Sequence, residues 1–284
     1  MYKVLWLILL SLVSSFAYTK EPFRIVVLSP NLTEITHSII QQAESKNTKI
    51  VGVIHYQGEP DYTKPIQGVG SANSLSIEKI ILLNPDIVLA SPMNSPITID
   101  QIKNFDIKIK ILDANTLAEI NELILDIGNL IQLQTAAQEI SSQYLTKLAK
   151  LKKTYVKSHQ QSVFIQISQI PIFTVGNKGI INEIINLCHG HNIFSNIPYP
   201  SFQTGVEQVL KANPNLIFQL FYDLGKTELY TVNKNSQWQS WKNLSAVTND
   251  KIYNINPNLI SQNSPKILEG AETICRLIAQ KSIN

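Results

Sequence analysis

Ser76–Ser91 reads SIEKIILLNPDIVLAS, and Gly205–Leu220 reads GVEQVLKANPNLIFQL. In both, a glutamate (Glu78 or Glu207) precedes an Asn-Pro step, and an apolar run follows it. Each copy reads as one short helix feeding one strand. Ile77, Ile80 and Ile81 in the first, and Val206, Val209 and Leu210 in the second, recur at i, i+3, i+4 as one apolar helical face. Asn-Pro stops each helix, because proline lacks an N–H and disfavours helix in the residue before it. Glu78 and Glu207 fall one residue past the first apolar position, so both are predicted in the first turn and exposed. An acid there opposes the helix dipole favourably, by about 0.3–1 kcal/mol, and Thr204-x-x-Glu207 also fits a capping box. Repetition adds a second reading, a widely spaced pair of docking charges.

Around the first copy lie short β-branched runs bounded by polar residues or proline: RIVVLS (Arg24–Ser29), IVGVI (Ile50–Ile54), DIVLAS (Asp86–Ser91) and KIKILD (Lys108–Asp113). These have the pattern of buried parallel strands. Helical stretches separate them, from Leu32 to about Ala43, Ser76 to Leu83, and Pro96 to about Asn104. Around the second copy the order repeats. SVFIQIS (Ser162–Ser168) answers RIVVLS, a helix runs through Cys188, NLIFQL (Asn215–Leu220) follows the glutamate phrase, and KIYNINPN (Lys251–Asn258) answers KIKILDAN (Lys108–Asn115). Four features recurring in one order indicate duplication of a whole domain.

Between the halves, Leu117 to Lys157 is helical with a break near Gln132-Leu133-Gln134. From Thr135 onward, Ile140, Tyr144, Leu148 and Leu151 mark one side of a long helix. The expected fold is α/β, two Rossmann-like lobes with central parallel sheets joined by one long backbone helix. The expected division is residues 1–17 as leader, 23–134 as N-terminal lobe, 135–158 as connecting helix and 159–284 as C-terminal lobe.

The leader is a reading of MYKVLWLILLSLVSSFAYTK, in which Lys3 precedes an apolar run and Ser15-Phe16-Ala17 gives a small-x-small cleavage pattern after Ala17. The run from Val4 to Val13 is short for a bilayer span, and an uncleaved anchor is the alternative. A cleavable signal peptide implies an exported mature chain, and the expected location is the periplasm. In an oxidising compartment, the only two cysteines, Cys188 and Cys275, fit either a bridge or two buried thiols. Hydrophobic residues make up 44% of the 284-residue chain, enough for a sizeable core, while charged residues are 16% and the net charge is +3. That balance gives no clustered basic face, so no nucleic-acid partner is expected.

RIVVLSPNLTEI, IVGVIHY, SIEKIILLNPDIVLA, FTVGNKGIINEIINLCHGHNIF, VEQVLKANPNLI and NSPKILEGAETICRLI together resemble the helical-backbone family of periplasmic substrate-binding proteins of ABC importers, in its cobalamin and ferric-siderophore branch. The resemblance runs over about residues 23–280. It implies a non-enzymatic, monomeric receptor with no cofactor or metal of its own. Such a receptor holds a small molecule between lobes that barely hinge and passes it to a permease–ATPase complex. It implies cobalamin or a related corrinoid as the transported ligand, with a ferric siderophore or haem as alternatives. It assigns Pro30, Asn31, Tyr56, Phe173 and Asn258 to the cleft, Glu78 and Glu207 to docking on arginines of the permease, and a disulfide to Cys188–Cys275. At positions where cobalamin binders of the family carry tryptophans, this chain has Ala72, Ser91 and Ser201. Phe202, beside Ser201, is the candidate replacement. Trp238 and Trp241 lie in a different segment.

The competing class is a two-lobed α/β enzyme, a chelatase or glycosyltransferase. GVGS (Gly68–Ser71) is a lone G-x-G without a third glycine, and neither a P-loop nor a Gly-x-Ser-x-Gly elbow occurs. His189-x-His191 stands at a predicted helix end and is weak as a metal pair. His55, beside Tyr56, is the histidine nearest the predicted cleft.

Overall fold

The two copies of the quoted phrase fold alike and occupy equivalent places in two sheets. A computed structural model describes residues 21–56, 58–71, 74–155, 160–221, 229–260 and 262–280. The expected leader (1–17), Ala72 and the last residues of the expected connecting helix (156–158) lie outside them.

The N-terminal lobe runs β1 (Phe23–Val27), α1 (Pro30–Gln42), β2 (Thr48–Val53), β3 (Gln67–Gly68), β4 (Gly70–Ser71), β5 (Ser74–Leu75), α2 (Ile77–Leu82), β6 (Ile87–Ala90), α3 (Pro96–Lys103), β7 (Ile109–Ile111) and α4 (Leu117–Leu130). After α5 (Gln134–Tyr155) come β8 (Gln161–Gln166), β9 (Phe173–Thr174), α6 (Ile180–Leu187), β10 (Gly190–Asn192), β11 (Phe202–Gln203), α7 (Val206–Ala212), β12 (Leu216–Gln219), β13 (Tyr230–Val232), α8 (Ser245–Thr248), β14 (Ile252–Ile255) and α9 (Ile267–Ala279). The first sheet has the order β3-β2-β1-β6-β7 and the second β10-β8-β12-β14-β13. Pairings in the first are all parallel, as are those of β10, β8, β12 and β14. The repeat therefore maps β2-β1-β6-β7 onto β10-β8-β12-β14. One departure from the expected parallel sheets is β13, which pairs antiparallel with β14 at the edge.

The correspondence extends to single hydrogen bonds. The Arg24 N–H donates to Asp86 Oδ2 (2.6 Å) as the first sheet begins, and the Ser162 N–H donates to Asn215 Oδ1 (2.9 Å) as the second does. The stop signal is also duplicated. Asn84 and Asn213 both adopt φ 43°, the left-handed region that asparagine tolerates better than most residues. Their backbone N–H groups return to the last helical turn, to Ile81 O (2.9 Å) and Val209 O (3.0 Å). Asparagine thus contributes to each helix stop alongside the proline after it. In the first copy, the Arg24 guanidinium also caps α2 by donating to Leu83 O at 2.7 and 2.8 Å. In the second, Gly205 is the N-cap, and its N–H donates to Gln208 Oε1 (3.0 Å). The Thr204–Glu207 capping box does not form, because Glu207 lies one residue too early.

Three apolar clusters organise the layers. Outside the first sheet, Ile80 of α2 and Ile102 of α3 form one cluster with Val26 and Val88 of the sheet. Outside the second, Phe164, Ile217, Val209 and Trp238 form the matching layer. The third cluster is continuous between the lobes, from Ile25 and Ile35 through Ile140, Tyr144, Leu148 and Leu151 to Ile184, Ile274 and Cys275. The four residues picked from the α5 periodicity are all buried. At 1.5 Å rise per residue, the 22 residues of α5 extend about 33 Å, and the helix packs on α1 and α4 at one lobe and on α6 and α9 at the other. Cys188 caps α6 and is bonded to Cys275 within α9.

Candidate functional site

In parallel α/β units the loops after the strands gather at one edge, where ligands of open sheets bind. Here those loops from the two lobes meet around a cavity of about 340 Å³. Pro30 and Asn31 reach it after β1, Tyr56 after β2, Ser91 and Met93 after β6, Asp113 after β7, and Asn258, Gln262 and Asn263 after β14. Four expected cleft residues, Pro30, Asn31, Tyr56 and Asn258, are thus brought together.

Asn258, Gln262 and Asn263 bind the lobes directly. Asn258 Nδ2 donates to Gly58 O (3.1 Å), Gln262 Nε2 to Tyr56 Oη (3.3 Å), and Asn263 Nδ2 to Ala114 O (2.5 Å). Three amides on one segment thus engage the rim loops of the opposite lobe. Gln262, Asn263, Asp113 and Met93 were not singled out by sequence reasoning. The signal for the first two was the polar SQNSPK stretch just past the last strand. Ser91 is buried, with its N–H bonded to Asn94 Oδ1 (2.8 Å), so it shapes the turn beneath Met93.

Phe173 and Phe202 do not line this cavity. They lie on the small antiparallel pair β9–β11, both half-buried, and Phe202 packs edge-on against Phe194 at 5.3 Å. Trp238 is fully buried, donates Nε1–H to Gln166 Oε1 (2.8 Å) and meets Phe164 edge-on at 5.5 Å. It belongs to the outer layer of the second lobe, and Trp241 packs against it.

His55 is held within its own lobe. Its Nδ1 lies 2.7 Å from Glu59 Oε2, which also accepts from Thr63 Oγ1 (2.8 Å). Burial opposes ionisation of Glu59, but these hydrogen bonds outweigh it and hold the carboxyl below its usual range. The ring lies so close to Gly68 that a Cβ there would stand 2.6 Å from His55 Cδ2, and Gly70 has φ +132°. The GVGS glycines therefore serve a close approach and a turn. His189 and His191 are both exposed, and no group of three or more His, Cys, Asp or Glu is placed to hold a metal among the described residues.

Glu78 and Glu207 are both exposed in the first turns of α2 and α7. These helices run antiparallel to the strands they feed, so their N-termini lie at the cleft end of each lobe. A third acid is buried instead. Glu34 of α1 is 4% exposed and faces Lys266 Nζ across the lobe junction at 3.8 Å. Burial raises its pKa, and Ser264 and Lys266 only partly offset this.

Among the described residues no helix is long and apolar enough to cross a membrane. Over residues 25–259 the sequence matches the periplasmic binding protein family. It is 30% identical over 270 residues to a vitamin B12-binding protein of Vibrio cholerae, covering 92% of each chain. To the vitamin B12-binding protein of Vibrio parahaemolyticus it is 27% identical over 265 residues, again covering 92% of each. The crystal structure of the periplasmic vitamin B12 binding protein BtuF of Vibrio cholerae superposes with a TM-score of 0.76 at 26% identity, covering 90% of this chain and 96% of that one. Two repeated α/β lobes, a helix packed on both and a cavity at their shared strand ends agree with that match: the chain belongs to the periplasmic binding protein family, whose members bind solutes and catalyse nothing.

Proposed function

We propose that this protein captures a corrinoid of the cobalamin class between its lobes and delivers it to an ABC importer. The observation that carries this reading is the cavity lined from both lobes at their strand ends, in a chain with relatives named vitamin B12-binding proteins over nearly their whole length. A cavity of 340 Å³ is at the small end for ligand sites. A corrin therefore enters with part of its rim left in the open mouth, packed on Tyr56 and hydrogen-bonded by Asn31, Asn258 and Gln262. Lobes already joined by side-chain amide hydrogen bonds and one continuous core lose little freedom on binding, which favours affinity. Glu78 and Glu207 are the docking charges for the permease, one on each lobe. Phe173 and Phe202, outside the cavity, serve a ligand only where it extends over the second lobe.

A ferric siderophore is the second reading. It is favoured by the lining itself, which offers many amides and hydroxyls and one aromatic ring, and suits an oxygen-rich chelate as well as a macrocycle. Calorimetric titration of the purified protein with cobalamin, cobinamide, haem and a ferric siderophore separates the two. The proposal expects saturable one-to-one binding of cobalamin or cobinamide. Binding of the siderophore alone selects the second reading, and no binding of any of the four refutes both.

A further inference from the structure

The segment between β2 and β3 carries no helix or strand among its described residues, yet it receives two of the three amide contacts between the lobes. Tyr56 Oη accepts from Gln262 Nε2 (3.3 Å), and Gly58 O accepts from Asn258 Nδ2 (3.1 Å). Tyr56 also lines the cavity. A loop without a backbone ladder keeps its shape only through local turns and side chains. The turns here are the Glu59 N–H to Tyr56 O (3.3 Å), the Thr63 N–H to Pro60 O (3.1 Å) and the Ile66 N–H to Thr63 O (2.9 Å). At its far side the loop is fastened to α1, where Tyr62 stacks on His37 with ring centroids 3.7 Å apart and planes 2° apart.

Glu59 closes the near side, to which Tyr56 belongs. Its Oε2 lies 2.7 Å from His55 Nδ1 and 2.8 Å from Thr63 Oγ1. A single oxygen thus ties the residue before Tyr56 to Thr63, which is 2% exposed. His55 is itself confined, with its ring packed against Gly68 of β3. The Glu59 side chain is 15% exposed and does not line the cavity. Hydrogen bonds to a carboxylate are stronger than those between neutral groups, so this one side chain is an effective brace.

We propose that Glu59 is a positioning residue for ligand capture: by tying His55 to Thr63 it holds Tyr56 at the cavity and Gly58 within reach of Asn258, without touching the ligand itself. Loss of the carboxylate frees the loop, and the ligand must then order it on binding, which weakens affinity. Because both contacts fall on one oxygen, glutamine can supply them through Oε1, whereas alanine supplies neither. This inference rests on the cleft reading of the preceding section.

The test is a double-mutant cycle read by calorimetric titration with cobalamin. Wild type, Glu59→Ala, Glu59→Gln, Tyr56→Ala and the Glu59→Ala/Tyr56→Ala pair are compared. Glu59→Ala is expected to weaken binding about tenfold, and Glu59→Gln to recover most of that loss. In the Tyr56→Ala background the ligand contact is already gone. There the alanine at position 59 is expected to cost less than about threefold, since residues acting through one another are not additive. A full tenfold loss in both backgrounds overturns the inference, as does wild-type affinity in Glu59→Ala. Amide hydrogen exchange of the ligand-free protein gives a second measurement. Glu59→Ala should speed exchange at Thr63 and Ile66 while α1 and β2 keep their protection. Unchanged exchange at those two amides overturns the inference without reference to any ligand. Wild type that binds no cobalamin refutes the corrinoid reading, and the exchange result then still upholds or overturns the bracing role of Glu59.

Discussion

At the scale of single residues, Glu34 has the least comfortable chemistry. It is 4% exposed, and one carboxylate oxygen has no hydrogen-bond partner among the described residues. Burial raises its pKa first, Glu269 adds to the rise, and Ser264, Lys266 and Ser38 oppose it. A carboxyl with a raised folded pKa binds more protons folded than unfolded. Its penalty is absent below the unfolded pKa near 4.5 and grows as pH rises toward the folded value. Glu34→Gln keeps the shape and removes the charge. Thermal melts should show the variant more stable than wild type at neutral pH, with the difference vanishing in mild acid. A variant less stable at neutral pH would mean that the Lys266 contact outweighs the burial of Glu34.

At the scale of elements, the helical layer is tied covalently where α6 and α9 meet. The Cys188–Cys275 bond spans 87 positions of sequence. In the chain-entropy account a loop of that size is worth roughly 4–5 kcal/mol. Cys188→Ser with Cys275→Ser should lower unfolding free energy by about that much in urea, with the transition slope changed by residual order in the unfolded chain. A loss below about 1 kcal/mol would mean that packing of Ile184, Ile274 and their neighbours already orders this region.

Which elements were legible followed from their length and periodicity. Ile140, Tyr144, Leu148 and Leu151 announced α5 because a helix crossing both lobes keeps one stripe buried along its whole course. The repeat was legible because Asn-Pro and its flanking apolar runs survive in both copies. The two-residue strands β3, β4, β5, β9 and β11 are too short to carry a period of two. The edge strand β13 contains Tyr230, Thr231 and Val232, but nothing in its neighbours reveals its antiparallel pairing. In the cleft, Asn31, Tyr56 and Asn258 were named by the family resemblance, and each directly follows a strongly patterned strand. Gln262 and Asn263 were not, because a polar loop residue reveals its partner only when the other lobe is placed against it.

At the scale of the whole molecule, one apolar cluster runs through both lobes and three amides bridge them at the cavity. Large hinge motion would have to break that core. On the proposed reading, the two glutamates keep a nearly fixed separation with or without a ligand, as docking charges on a rigid body would. They also lie off the cavity, so the proposed docking task is separate from the ligand contact proposed for Tyr56 and Asn258. The measurement that tests this division most directly is cobalamin uptake by cells whose only receptor carries Glu78→Ala and Glu207→Ala, paired with calorimetric affinity of the purified variant for cobalamin. The account predicts uptake reduced to background with affinity unchanged from wild type. Normal uptake, or an affinity that falls together with uptake, would contradict it.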